Sequence, residues 1–289
     1  MMTVAQAFDK LRRNLELTGP ERKNVSRQQN VVREKLASHL TIDGDFISGS
    51  YGRKTAIRPL NDVDLFVILN EEAHRNLRSE SPRACLEHVR GALAAAYPGK
   101  HPRVQSRSVN IAFRGTSIGY DVVPGFAQAG GVYLIPDCDR GSWIHTNPEV
   151  HKEACKAANR RAGGLLNPLI KFAKQWNART GKVLRSFHLE VMAYGAFQGK
   201  PGSFPLGLAE LFEHLAGAVL HRCPEPAGIG PAIDPGMDQG ERTRIREAIQ
   251  RASRRAREAL ELDAAGSPAQ AHGKWREILG VAYPERGQS

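Results

Sequence analysis

GSYGRKTAIRPLNDVDLFVIL, residues 49–69, is the stretch that decides how this chain folds. Its last part, VDLFVIL at 63–69, is β-branched and apolar, a strand with Asp62 and Asp64 spaced two apart at its head. Side chains of a strand alternate faces, so both carboxylates point the same way. Just upstream, from Phe46, FISGSYGRKT is a short apolar stretch broken by Gly49, Ser50 and Gly52. The pattern is strand, glycine-containing turn, strand.

Working outward, residues 82–96 have helical periodicity. VQSRSVNIAF (104–113) and IGYDVVPGF (118–126) are two strands joined through the tight connection RGTS (114–117). Two helices precede the first strand. One spans residues 4–17, with Val4, Ala7, Phe8, Leu11 and Leu15 at helical spacing, and the other runs from Pro20 to about Leu40. The first half is therefore mixed α/β with at least four strands. Beyond Pro148 the pattern turns helical, over 149–161, 165–177, 187–196 and 206–220. Residues 224–240, dense in proline and glycine, form a loop before a last, arginine-rich helix over 241–262. With 289 residues the chain suits two units, 1–160 holding the sheet with the N-terminal helices and 161–289 a C-terminal helical lobe.

Hydrophobic residues make up 41% and charged residues 25%, which excludes a disordered or fibrous chain. No apolar run approaches the roughly 20 residues of a membrane span. The opening MMTVAQAFDKLRRNLEL lacks the apolar centre of an export signal, so a cytoplasmic protein without membrane contact is expected. Cys85, Cys138, Cys155 and Cys223 form no CxxC pair and read as reduced thiols. A net charge of +11 favours polyanionic partners without choosing among nucleotides, nucleic acids and acidic proteins.

Two carboxylates as close as Asp62 and Asp64 repel, and a divalent cation between them would make the pair sensible, because Mg²⁺ takes hard oxygen ligands. Two solvated acids at a strand end would give the same sequence. Twelve residues before Asp62, Ser50 and its neighbour Gly49 lie in a turn where the backbone can approach a phosphate and a hydroxyl can donate to it. Together they pair a phosphate cradle with a metal site. Asp121 interrupts the apolar run GYDVV, which is costly unless a third ligand role or an edge position facing water explains it.

These residues resemble the polymerase-β-type nucleotidyltransferase superfamily, and the insert Thr55–Leu60 resembles its bacterial cGAS/DncV-like branch. WIHTNPEVH (143–151), AKQWN (173–177) and SFHLEV (186–191) are similar to later motifs of that branch in the same order, so the likeness covers roughly residues 20–200. It implies an α+β fold in two lobes, a mixed-sheet catalytic core with flanking helices plus the helical lobe. The implied activity condenses nucleoside triphosphates into a cyclic di- or trinucleotide second messenger in antiphage defence, read by a downstream effector, with an RNA, DNA or protein regulator. Asp62, Asp64 and Asp121 would be the catalytic acids and ligands of two Mg²⁺ ions, with Mn²⁺ able to substitute. Gly49, Ser50, Lys174 and Ser186 would hold the triphosphate, and Phe187 would stack on a base. From the residues alone, Lys174 fits a surface lysine and Phe187 the core. Other nucleotidyltransferases, RNA-tailing or small-molecule-modifying, and a catalytically silent nucleic-acid sensor are the alternatives.

Cys138, His145, His151 and Cys155 stand close in sequence, yet their spacing matches no standard zinc site. His188 and Glu190 read as structural polar groups between the lobes. The arginines of 241–262 read as a solvated face or a polyanion-binding one.

Overall fold

The decisive stretch folds, in the computed structural model, as expected; residues 2–113, 115 and 118–284 are described. Two helices lead, α1 (Val4–Leu15) and α2 (Gly19–Ala37), each opened by a threonine capping box, at Thr3 and Thr18. Next come β1 (Ile42–Ile47), the single turn α3 (Gly49–Gly52) and β2 (Asp62–Leu69). Helices α4 (Arg75–Ser79) and α5 (Pro82–Ala96) precede β3 (Arg103–Val104), β4 (Val109–Phe113), β5 (Ile118–Ala127), β6 (Tyr133–Asp137) and β7 (Ser142–Thr146). Helices then take over: α6 (Pro148–Arg161), α7 (Leu166–Arg179), α8 (Ser186–Ala193), α9 (Phe204–Ala218), α10 (Gln239–Ala264) and α11 (Pro268–Leu279).

The strands form one mixed sheet in the order β1-β2-β5-β4-β3, with β6 and β7 continuing from the far end of β5. β2 and β5 run parallel at its centre, and the other pairs are antiparallel. Alternation gives the sheet two different faces. Val63, Leu65, Val67 and Leu69 of β2 and Tyr120 and Val122 of β5 are buried with Val25, Val32 and Leu36 of α2 and Leu86, Val89 and Leu93 of α5. Each such aliphatic side chain contributes about 1.5–3 kcal/mol of burial. The opposite face carries Asp62, Asp64 and Asp121 and then an apolar floor, where Phe46 stacks on Phe66 at 4.8 Å and Tyr133 leans on both.

A second core unites α7, α8, α9, α10 and α11. α2 packs with the sheet, whereas α1 joins this helical core, its Phe8 ring lying edge-on to Phe172, Trp275 and Tyr283 at 5.4, 4.8 and 5.6 Å. The amphipathic stripe read from the sequence is correct, but α1, grouped with α2 in the sheet unit 1–160, packs instead in the helical core, a choice that periodicity does not settle.

The β6–β7 hairpin, α4 and α11 were not expected. β6 contains Pro136 and ends on the buried Asp137, so it lacks the alternating pattern that marked the other strands. The connection at 114–117 lies, apart from Gly115, outside the described residues. Among the described residues no helix is long and apolar enough to cross a membrane.

Candidate active site

Asp62, Asp64, Asp121, Ser50, Lys174 and Ser186 line a single cavity of about 740 Å³ between the open face of the sheet and the α7–α8 corner. The sheet register explains the carboxylates. β2 and β5 run parallel with Asp64 opposite Asp121, and Asp62 is two residues earlier on the same face. Asp121 is on a central strand rather than an edge, so the water-facing alternative fails, and its Oδ1 accepts a 2.7 Å hydrogen bond from Asn110 Nδ2, directly opposite on β4.

Ser50 reaches the cavity from α3, whose turn is closed by Gly52 N donating to Ser48 O and Arg53 N to Gly49 O. Gly49 lines a neighbouring cavity and stands with φ +58° directly behind the Asp64 carboxylate, which a Cβ at that position would overlap. Glycine is required twice over there, for the left-handed backbone and for the close approach. On the helical side, Asn177 bonds both the carbonyl and the amide of Leu184, at 2.7 and 3.0 Å, and so fixes the corner that presents Ser186.

Two of the three acids, Asp64 and Asp121, are held above the usual carboxylate range. Burial pushes the Asp121 carboxyl up to about 6, Asn110 opposing and Asp62 and Asp64 adding to the rise. Burial also raises Asp64, with Arg53 working against it and Asp62 with it. Among the described residues no three His, Cys, Asp or Glu side chains close on one point. The donor set is nevertheless all carboxylate oxygen in one cavity, and magnesium usually takes only one or two carboxylates and completes its shell with water and phosphate oxygens. In kind, these residues fit that ion.

Behind the cavity lies a group that the sequence reading treated as merely structural. Glu190 of α8 is fully buried, and both of its oxygens are engaged. Arg53 grips it with Nε at 2.9 Å and Nη2 at 3.3 Å, Thr55 Oγ1 donates to it at 2.8 Å, and Lys174 Nζ lies 2.6 Å away. Burial alone would raise this carboxyl, yet Lys174 and Arg53 hold it at about 2. Lys174 also donates to Thr55 O at 3.0 Å and is only 6% exposed, so it is no surface lysine. Arg53 and Thr55 lie within the decisive stretch, but nothing there signalled that they reach a glutamate more than 130 residues away.

Phe187 stands apart from the acids. It lines another cavity, its ring under the Arg53 guanidinium at 4.5 Å and beside His151 at 5.3 Å. His151 pairs with Glu225, whose other oxygen accepts from Ile229 N and Gly230 N, so the proline-rich loop folds back onto α6. That partner, with Cys155 buried against Arg53 O and Asn167, accounts for two of the four residues weighed for zinc. In α10, Ile245, Ile249 and Ala256 enter the helical core as expected. Arg242 is buried against Asp234, and Arg255 and Arg257 pair with Glu277 and Glu213 on neighbouring helices.

Comparison with known proteins places this geometry. Residues 2–159 match the family described as Second Messenger Oligonucleotide or Dinucleotide Synthetase domain. A cyclic AMP-AMP-AMP synthase of Acinetobacter sp. is 27% identical, the alignment covering 98% of this chain and 86% of that protein. The structure of Escherichia coli MS115-1 CdnC with ATP superposes with a TM-score of 0.77 at 19% identity, over 97% of this chain and 99% of that one. Vibrio cholerae DncV cyclic AMP-GMP synthase, bound to the linear intermediate pppA(3′,5′)pG, gives 0.77 at 14% identity, over 99% and 98%. This chain shares its bilobed α+β fold with those two solved structures.

Proposed function

The chain belongs to the Second Messenger Oligonucleotide or Dinucleotide Synthetase family, and from that premise we propose that it joins nucleoside triphosphates into a cyclic oligonucleotide, releasing pyrophosphate, as part of antiphage signalling. The observation that carries this reading is the meeting, in one cavity, of Asp62, Asp64 and Asp121 from the sheet with Ser50, Lys174 and Ser186. The Acinetobacter relative favours adenine nucleotides and a trinucleotide product.

In this reading the donor triphosphate lies along the α3 turn, where the Ser50 hydroxyl and backbone amides donate to its oxygens. Lys174 and Ser186 meet it from the helical side. Asp62, Asp64 and Asp121 are the residues that would hold Mg²⁺ there. When bound, magnesium would offset charge on the α-phosphate and pyrophosphate and acidify the attacking ribose hydroxyl. The residues themselves orient acceptor hydroxyl, α-phosphate and leaving group in line, and positioning supplies much of the acceleration. To close the ring, the linear product must re-enter the same cavity with its own triphosphate as donor.

The test is incubation with labelled NTPs and Mg²⁺, followed by phosphatase, with and without an RNA primer. A phosphatase-resistant, primer-independent product is expected. Label only in primer-linked tails would support an RNA-tailing enzyme, and no product at all would support a silent sensor.

A further inference from the structure

Glu190 is not among the residues that line the cavity, yet it bonds Lys174, which does, and Arg53 and Thr55, which follow the turn carrying Ser50. Arg53 and Thr55 follow the Gly49–Gly52 turn and are bonded back to it, Arg53 N to Gly49 O at 3.1 Å and Thr55 N to Ser50 O at 2.9 Å. Lys174 arrives from α7 and lines the cavity itself. One carboxylate thus joins the phosphate turn of the core to the lysine of the helical lobe.

Stability alone is a poor reason for this arrangement. Taking an ionised carboxylate and two cations out of water is costly, and apolar residues of similar size often replace such buried groups without loss. Apolar packing could hold α8 against the turn. It could not fix an ammonium and a guanidinium in place at the edge of a cavity. Lys174 Nζ has three donors, and Glu190 and Thr55 O take two at short range, with Thr55 Oγ1 at a longer 3.5 Å. The donor on the long 3.5 Å contact is the one most readily turned to a phosphate, and the two short bonds set its direction in place of a free side chain searching rotamers. Arg53 is likewise fixed where its charge offsets Asp64.

We propose that Glu190 is a positioning residue for nucleotidyl transfer, holding Arg53 with the Ser50 turn on one side and Lys174 on the other, so that the two halves of the triphosphate clamp are set before substrate arrives. This inference rests on the proposed function. It goes further in assigning the alignment of the clamp to a residue that never meets substrate. Without Glu190, a mobile Lys174 can still find a phosphate oxygen, so ground-state affinity is largely kept, while the in-line geometry of the transition state is lost.

The experiment uses the full chain as wild type, Glu190→Gln, Lys174→Met and the double variant, with MgATP as probe. kcat and KM are measured alongside thermal melting. Glu190→Gln is expected to lower kcat by at least about tenfold while KM changes by less than about threefold. On the Lys174→Met background the same substitution is expected to cost clearly less than it does alone, since one of the two cations that Glu190 holds is already gone. A folded Glu190→Gln variant with wild-type kcat, or losses that multiply fully in the double variant, would overturn the inference. If Glu190→Gln does not fold, Arg53→Lys keeps the charge but loses the fork. A fall in kcat at steady KM then supports the inference and an unchanged kcat overturns it. A wild type that joins no nucleotides overturns the proposed function and this inference with it. An active wild type beside an unaffected Glu190 variant overturns the inference alone.

Discussion

Two clusters of charge lie back to back in this molecule, and they are built on opposite terms. In the cavity, Asp62, Asp64 and Asp121 are like charges, and burial and mutual repulsion push Asp121 up to about 6. Behind them, Glu190 is more buried than any of the three, yet two cations and a hydroxyl hold it at about 2. Burial has the same sign in both places; what differs is the partners. The inner cluster is complete as the chain folds. The outer one is short of positive charge, as a site for divalent cations would be.

Asp62 and Asp64 replaced together by alanine should sharpen that contrast most. Product formation is expected to fall at least about a thousandfold, roughly 4 kcal/mol of transition-state stabilisation. The melting temperature should hold or rise, because repelling charges are removed; a variant that unfolds would mean the acids are structural after all. Lys174→Ala cuts the inner cluster instead. It leaves Glu190 with Arg53 as its only cation beside the Thr55 hydroxyl, and breaking a buried pair costs about 3–5 kcal/mol. A clear drop in melting temperature is expected, together with NTP affinity weakened more than about tenfold through a lost charge-assisted contact of roughly 1.5–3 kcal/mol. An unchanged dissociation constant would remove Lys174 from the clamp.

Gly49→Ala tests the seam between the clusters. Its new Cβ must displace the Asp64 carboxylate, and the left-handed backbone adds about 1–2 kcal/mol of strain. Turnover should drop by about tenfold or more, with only a modest loss of stability. Titration then gives the smallest effect and the cleanest sign. Without divalent cations, folded Asp121 keeps its proton up to about pH 6, whereas the unfolded chain releases it near pH 4. Wild type therefore gains stability as pH falls through that window and Asp121→Asn does not. The variant should melt higher at pH 7.5, with the margin closing by about pH 4. Glu190→Gln should do the reverse. The folded carboxyl lies below its unfolded value, so the wild-type advantage is full from about pH 5 to 8 and shrinks only under stronger acid. Equal pH profiles for the two variants would dissolve the contrast.

Much of the outer cluster was legible in the sequence, and almost none of the inner one. The period-two acids, the glycine turn and the intrusive Asp121 are local departures from an apolar strand pattern, and strand alternation is enough to put them on one face. Asn110 could have been found the same way, since its place opposite Asp121 follows from the hairpin register. Glu190 could not. Its role depends on α8 meeting a turn more than a hundred residues earlier, and a glutamate within a short apolar helix carries no mark of which cations it will meet. The same limit explains α1, whose stripe was plain but whose partner core was not, and β6, whose proline hid a real strand.

The most direct measurement is a crystal structure with Mn²⁺ and a non-hydrolysable ATP analogue, using the anomalous signal of manganese. The expected result is manganese within reach of the carboxylates of Asp62, Asp64 and Asp121, while Arg53 and Lys174 stay on Glu190 at their present 2.9 and 2.6 Å. Manganese absent from among the three acids, or bound only with Lys174 and Arg53 pulled away from Glu190, would contradict the division between an outer cluster that awaits its cations and an inner one that already holds them.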